Sequence, residues 1–452
     1  MTEQLNTDYL VIGAGAVAMA FVDEIISSSK TARIIMLDRR ATPGGHWNNA
    51  YRFVTLHQPA LYYGVNSEPL EEGDNDLASG EQIVAYYARV LDKLCATGRV
   101  QFFGACEYRG EGRFVSLKED GTEYQVTVHR RTVDATDSNV TVPSTRPPEY
   151  AVAEGMNVVP VNALADLHKA WARYVVIGAG KTGIDALLRL LEVGTDPDKI
   201  SWIVSHDVWY INRDGMHPKI LGKVFPKQLR ETSESSDVAD YFRRFEEAGW
   251  MMVLDPDFPP THFRCTTVNP RELEALRRIQ DVVRLGRVKR IEPTEVVLDR
   301  GTIPTSTGTL HVDCTANGLA RRPVRPVFNG PNILLQNVMF CQPTMSAALI
   351  GHIETRNISD VRKNAMAGPC PHPIVPQDYF RTVDAMGKNM RAWSPLEHLW
   401  FIRKRLSAVS HCPFWMRIRL IVGMIRWFNG SLRKVEEFIH EYERDKKTAA
   451  TQ

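Results

Sequence analysis

The chain has 452 residues, a formal net charge of +2, 24% charged and 44% apolar side chains. That length accommodates two or three domains with a sizeable core, and the even charge balance offers no electrostatic footprint for nucleic acid. The seven cysteines (Cys95, Cys106, Cys265, Cys314, Cys341, Cys370, Cys412) are odd in number and scattered, with no Cys-x-x-Cys pair. They point to reduced thiols in the cytoplasm and away from a disulfide scaffold or structural zinc.

Residues 9–12 read as a short buried-type strand, followed by the turn Gly13-Ala14-Gly15-Ala16-Val17-Ala18 and an apolar helical pattern over 16–27. The stretch 11–22 is apolar enough to imitate a signal-peptide core, but Glu3 and Asp8 precede it in place of a basic region. In such a turn Gly13 makes the tight bend, Gly15 lets backbone N–H groups approach a pyrophosphate, and Ala18 lets helix pack on strand. Residues 33–38 form the next strand, and Asp38 ends it 25 positions after Gly13, where a carboxylate accepts hydrogen bonds from ribose hydroxyls. The alternative is an acid that caps the following turn.

Residues 114–117 and 124–128 alternate about the turn Glu119-Asp120-Gly121-Thr122, which predicts a hairpin inserted in the first domain. Pro143, Pro147 and Pro148 mark an irregular connection. A second strand, turn and helix follow at 174–177, Gly178-Ala179-Gly180-Lys181-Thr182-Gly183 and 182–191, with a strand at 200–204. The two turns lie 165 positions apart, so the chain builds one nucleotide-binding geometry twice. Lys181 either faces phosphate or is a solvated helix-start lysine.

The strand over 200–204 ends in Ser205-His206-Asp207, with Arg213 shortly after. A hydroxyl and an imidazole where an acid would favour NAD point to NADPH, read by Ser205, His206 and Arg213; NADH is the alternative if Asp207 is the acid. Residues 232–240 are polar, acidic and serine-rich and predict a mobile loop or lid. Residues 271–284 predict a helix, while 291–298 and 310–314 predict strands returning the chain to the first domain. The last of these runs into Asp313-Cys314-Thr315-Ala316-Asn317-Gly318, whose small residues let backbone come close to a cofactor.

After about residue 350 the pattern turns helical. Pro369, Pro371, Pro373 and Pro376 punctuate a linker, and helices are predicted around 396–406, 413–428 and 432–442. This tail is locally basic. Its aromatic segment 414–428 places Arg417 opposite Arg419 and Arg426, which favours burial against the protein body or a second copy of the chain over a membrane surface. No run of about 18 uncharged apolar residues is present, so no spanning helix is expected.

With Leu37-Asp38-Arg39-Arg40-Ala41-Thr42-Pro43-Gly44-Gly45-His46-Trp47, the sequence resembles the two-dinucleotide flavoproteins that include class B flavin-containing and N-hydroxylating monooxygenases. The resemblance spans roughly residues 5–345. It implies an α/β fold of two Rossmann-like dinucleotide-binding domains with a β insertion and a C-terminal helical extension. Its boundaries are 1–170 for FAD, 171–300 for the nicotinamide, 301–350 for the return to the FAD domain, and 351–452 for the extension. FAD is then held by Gly13, Gly15, Ala18, Asp38, Arg39, Gly45, His46 and Trp47, with Asp313 and Gly318 closing over it. Gly178, Gly180, Lys181, Thr182 and Gly183 hold the nicotinamide. Trp47 serves as a flat wall, and His46 packs or relays a proton.

Two departures stand out. The family follows its Gly-Gly-x-Trp turn with a Tyr-x-x-x-x-x-Asn pattern, and here Tyr51 is followed at that spacing by His57, then Gln58. Residues 150–167 also lack the family's Phe-x-Gly-x-x-x-His signature. The implied activity is insertion of one atom of molecular oxygen into a small organic substrate, with His57 or Gln58 the donor at the flavin edge; the alternative is a turn histidine satisfied by backbone. Competing readings are a flavin reductase or dehydrogenase without oxygen insertion, and a non-enzymatic flavoprotein scaffold. Disulfide reduction is the weakest enzyme reading, because the sequence offers no close cysteine pair.

Overall fold

The computed structural model describes residues 2–70, 77–119, 121–138, 141–167, 169–315, 322–430 and 433–440. Gly318 therefore lies outside the described residues.

Two separate sheets grow from the two glycine turns. In the first, Thr2–Ile12 pairs in parallel with Ile34–Asp38 on one side and Glu123–Asp134 on the other. Val100–Gly104 extends one edge and Asn332–Leu334 the other, both in parallel register. Leu10, Val11 and Ile34–Asp38 are buried, as expected of parallel strands covered on both faces. The helix Ala16–Ser28 covers one face and in turn carries the helix Pro343–Glu354. On the other face Leu10, Ile35 and Leu37 pack with Phe114 and Val126 of the predicted hairpin, whose strands Arg113–Ser116 and Glu123–Asp134 pair antiparallel.

In the second sheet, five parallel strands run in the order Asp281–Val283, Ile200–Ile203, Arg173–Ile177, Thr309–Asp313, Asn157–Pro160. This corrects the expectation that 310–314 returns the chain to the first domain. Thr309–Asp313 instead sits beside the strand leading to Gly178, with Leu310 and Val312 in that sheet's own core. The strand that does return is Asn332–Leu334. A three-stranded sheet (Met251–Met252, Val208–Asn212, His262–Val268) and a four-stranded one that includes Glu295–Leu298 complete the body.

The polar segment 232–240 is not a lid. It closes the helix Pro218–Glu234 and opens the helix Val238–Glu247, where Asp237 caps the Asp240 N–H. Thr232 and Ser235 are buried, and Arg244 reaches Glu231, Glu234 and Asp240, so local pairing replaces the disorder that composition suggested. The helix expected over 271–284 stops at Leu276, and Asp281–Val283 joins the second sheet.

The tail is helical over Pro395–Arg403, Phe414–Gly430 and residues 433–440. It is built into the first core. Trp400 Nε1 donates to the buried Glu24 at 2.8 Å, and Arg405 donates to the carbonyls of Leu61 at 2.9 Å and Tyr63 at 2.6 Å. The helix Phe414–Gly430 meets the body through Leu420 and Met424, while Phe414, Trp415, Ile418 and Val422 remain exposed. No helix among the described residues is long and apolar enough to cross a membrane.

Candidate cofactor site between the glycine turns

Gly13 takes φ +104°, a left-handed backbone that few other residues adopt, and a Cβ there would stand 3.3 Å from Thr136. The helix Ala16–Ser28 starts at Gly15 with no side chain capping its first turn, which leaves first-turn N–H groups without an intrahelical partner. Gly44 N donates to Ala14 O at 2.9 Å, and a Cβ on Gly45 would come within 3.1 Å of Gly15 Cα. The Gly-Gly-His-Trp turn thus lies directly on the glycine turn, and its small residues keep the approach open.

Asp38 accepts from Ala14 N and from Arg40 N, each at 2.8 Å, so its carboxylate is moored to the turn. Ala18 is fully buried against the sheet. Trp47 is held by a 2.7 Å bond from its Nε1 to Tyr63 Oη, and His46 stacks on it. Burial, followed by the charge of Arg40, lowers the His46 pKa to about 4. Arg39 points outward, largely exposed, and pairs with Glu107 at 3.3 Å.

Around the second turn, Gly178 takes φ +128° with the Cys314 carbonyl 2.9 Å from where a Cβ would stand. Gly183 presses on the Gly178 carbonyl in the same way. Gly180 faces open space, with nothing within 4 Å of a Cβ, and starts the helix Lys181–Glu192 without a side-chain cap. Lys181 pairs with Asp185 one turn along, and Asp185 also accepts the Tyr51 hydroxyl at 2.5 Å. Thr182 bonds the same hydroxyl. The lysine is therefore engaged within its own helix.

Ser205 and His206 follow the strand Ile200–Ile203, and His206 stacks on His262 with ring centres 3.9 Å apart. Burial and then the charges of Arg287, Arg264 and Arg300 hold the His206 imidazole below its usual pKa. Asp207 accepts both its hydrogen bonds from Arg284, at 3.0 and 3.2 Å, and is thereby neutralised. Arg213 stands apart from this group, buried against Glu272 at 2.5 Å.

His57 lies close enough to Lys181 of the second turn for the lysine charge to act on its ring. Its ring is open to solvent though surrounded by protein, and burial followed by Lys181, Arg213 and His372 lowers its pKa to about 4. The imidazole is neutral at pH 7. Gln58 is buried and accepts from Gln342 Nε2 at 3.2 Å, at the start of the helix Pro343–Glu354. Gln342 Oε1 and Thr344 Oγ1 are buried there without a partner among the described residues, as expected of groups reserved for a ligand. A cleft of about 800 Å³ opens elsewhere among Arg131, Glu354, Asp360 and Lys363, whose charges pair with one another.

Several of these groups went unread in the sequence. Asp134-Ala135-Thr136 ends the strand beside Gly13 as Asp313-Cys314-Thr315 ends the one beside Gly178. The signal was a repeated Val-Asp-x-Thr at Val133 and Val312. Asp313 thus borders the second turn, which corrects its assignment to the first. The basic group Arg264, Arg287 and Arg300 comes from three separate strands and loops and left no local pattern. Cys265 and Cys341 are joined by a disulfide across 76 positions, correcting the expectation of reduced thiols throughout.

The chain is 46% identical over 408 residues to two uncharacterized proteins, Rv2000 of Mycobacterium tuberculosis and Mb2023 of Mycobacterium bovis. The match covers 86% of this chain and 75% of each relative. Among solved structures, cyclohexanone monooxygenase from Rhodococcus sp. Phi1 bound to NADP⁺ aligns with a TM-score of 0.51 at 12% identity, over 97% of this chain and 98% of that one. An ε-caprolactone-bound cyclohexanone monooxygenase gives 0.50 at 14% identity, over 77% and 86%. The likeness is one of fold: a mixed α/β flavoprotein-monooxygenase architecture. No protein-family profile matches the chain.

Proposed function

The chain belongs to the family of the mycobacterial proteins Rv2000 and Mb2023, and on that footing we propose that it is an FAD-dependent, NADPH-using oxidoreductase. In this reading it inserts one atom of molecular oxygen into a small organic substrate in the cytoplasm. The carrying observation is the pair of uncapped helix starts at Gly15 and Gly180, each beside an Asp-x-Thr strand end.

FAD fits the first Rossmann-like unit. Its pyrophosphate would lie on the uncapped N–H groups of the helix start at Gly15 and Ala16, its ribose near Asp38, and its ring system between the Gly45-His46-Trp47 turn and Gln342. NADPH fits the second unit, which in this reading includes 157–160 and runs through Thr315. Gly178, Gly180 and Thr182 would carry the pyrophosphate, and His206 with Arg264, Arg287 and Arg300 the 2′-phosphate. Arg284 removes Asp207 as an NAD-type acceptor. Bound flavin supplies the redox chemistry, and the chain's own part is positioning. His57, with a neutral imidazole, would offer a hydrogen bond at the reacting edge, while Gln58 and Gln342 fix one another.

A second reading, reduction of an acceptor without oxygen insertion, is favoured by the missing Phe-x-Gly-x-x-x-His segment. Stopped-flow mixing of FAD-loaded protein with NADPH and then oxygen separates the two. Fast bleaching followed by a transient distinct from both oxidised and reduced flavin supports oxygen insertion; bleaching with single-phase reoxidation supports the second reading. No bleaching with either nicotinamide sinks both.

A further inference from the structure

The disulfide Cys265–Cys341 stands beside the proposed site at His57 and Gln58 and plays no part in the function above. Its two residues come from different elements: Cys265 from the strand His262–Val268, Cys341 from the residue pair just before the helix Pro343–Glu354. Their Cα atoms are 6.7 Å apart, within bonding reach. His372, on the proline-rich linker, places Nδ1 3.8 Å from Cys341 Sγ. The linker is pinned there: Ile374 O accepts from Phe263 N at 2.9 Å, and Cys370 N donates to Asn337 O at 2.6 Å.

Two contacts join this cluster to His57 and Gln58. Gln342, next to Cys341, bonds Gln58. Thr267, two residues beyond Cys265, donates to the carbonyl of His57.

Both cysteines are also presented by unusual backbone. Cys265 takes φ +53° and Phe340, preceding Cys341, takes φ +39°, and neither is glycine. The pairing of His262–Val268 with Val208–Asn212 slips between Trp209 and Ile211, where Cys265 lies opposite. Bulges and left-handed non-glycine residues of this sort cluster where a side chain is aimed at a task. A purely structural cross-link needs no adjacent histidine.

We propose that Cys265–Cys341 is a redox-active disulfide that takes two electrons from the reduced nicotinamide bound at the neighbouring turn, with His372 the proton partner of Cys341. In the net step the S–S bond breaks and two S–H bonds form. Reduced nicotinamide gives up a hydride and becomes oxidised, and solvent supplies the second proton through His372. Reoxidation by a low-molecular-weight disulfide forms the S–S bond again and releases two small thiols. His372 is suited to this by position, its Nδ1 standing 3.8 Å from Cys341 Sγ, where an imidazole can pass a proton on to the sulfur as the S–S bond breaks. The inference rests on the nicotinamide assignment above.

The test is anaerobic thiol counting on the full-length, FAD-loaded chain. Air-equilibrated protein is alkylated before and after NADPH, and the peptides carrying Cys265 and Cys341 are weighed while flavin absorbance is followed. Both cysteines are expected to be blocked at first and to become alkylatable as NADPH is consumed. The double variant Cys265→Ser with Cys341→Ser should need half as much NADPH for complete bleaching. His372→Gln should slow the appearance of thiols about 100-fold relative to bleaching, the scale of a lost proton-transfer partner. Bleaching with no new thiols overturns this proposal and leaves the oxidoreductase reading standing; no bleaching overturns both. Cysteines alkylatable from the outset, or zinc bound stoichiometrically in wild type and lost in the double variant, also overturn it.

Discussion

Asp134 and Asp313 occupy matching strand ends in separate sheets, and each accepts the hydroxyl of the threonine two residues on, Thr136 and Thr315, at 2.6 Å. Each Asp-x-Thr braces one glycine turn: Thr136 touches the space above Gly13, and Cys314 the space above Gly178. The molecule thus repeats a whole glycine-turn corner, strand end included.

The two corners are expected to fail separately. Gly180→Leu adds a side chain in open space, so thermal stability should hold while NADPH affinity falls more than about tenfold, or about 1.4 kcal/mol, and FAD stays bound. Gly45→Leu collides with Gly15 and should release FAD. Fluorescence titration of each cofactor checks both.

Nicotinamide preference should follow the basic group at His206. Removing the guanidinium in Arg287→Ala should weaken NADPH about 10- to 100-fold with little change for NADH, since a charge-assisted bond contributes about 1.5–3 kcal/mol. Steady-state KM values for the two nucleotides measure this. Equal losses for both would place the 2′-phosphate elsewhere.

Docking of the tail should show in stability. Trp400→Phe keeps the ring but removes the 2.8 Å bond to Glu24, a fully buried carboxylate also paired with Lys404 at 3.0 Å. A loss of about 1–3 kcal/mol is expected from chemical denaturation.

Acid should destabilise the fold through its neutral histidines. Burial, the leading cause in each case, lowers His46, His57, His262 and His372 to about 4 from an ordinary value of 6.5. The unfolded chain therefore binds protons first as pH falls. Stability from these groups is present above pH 6.5 and is lost between there and about 4. Denaturation midpoints should fall over that window, and His57→Gln should flatten the slope.

Local signals served the turn regions well. Gly13 to Trp47 and Gly178 to Gly183 were legible because backbone geometry dictates residue type within a few positions, and the hairpin at 113–128 followed from alternation. Sheet membership of Thr309–Asp313 was not legible, because a buried parallel strand looks the same in either sheet. The segment 232–240 misled through composition: its acids neutralise Arg244, a partner that only folding brings near. Cys265 and Cys341, 76 positions apart, belong to the same class of relationship, fixed by topology alone.

Chain order has a further consequence for biosynthesis. The first sheet receives Asn332–Leu334 beside Glu123–Asp134, and its covering helix packs on Pro343–Glu354, after all five strands of the second sheet have been translated. A nascent chain leaving the ribosome therefore holds every strand of the second sheet, nested inside an unfinished first one, and chains stalled before Asn332 should emerge with Thr132–Asp134 unpaired on that side.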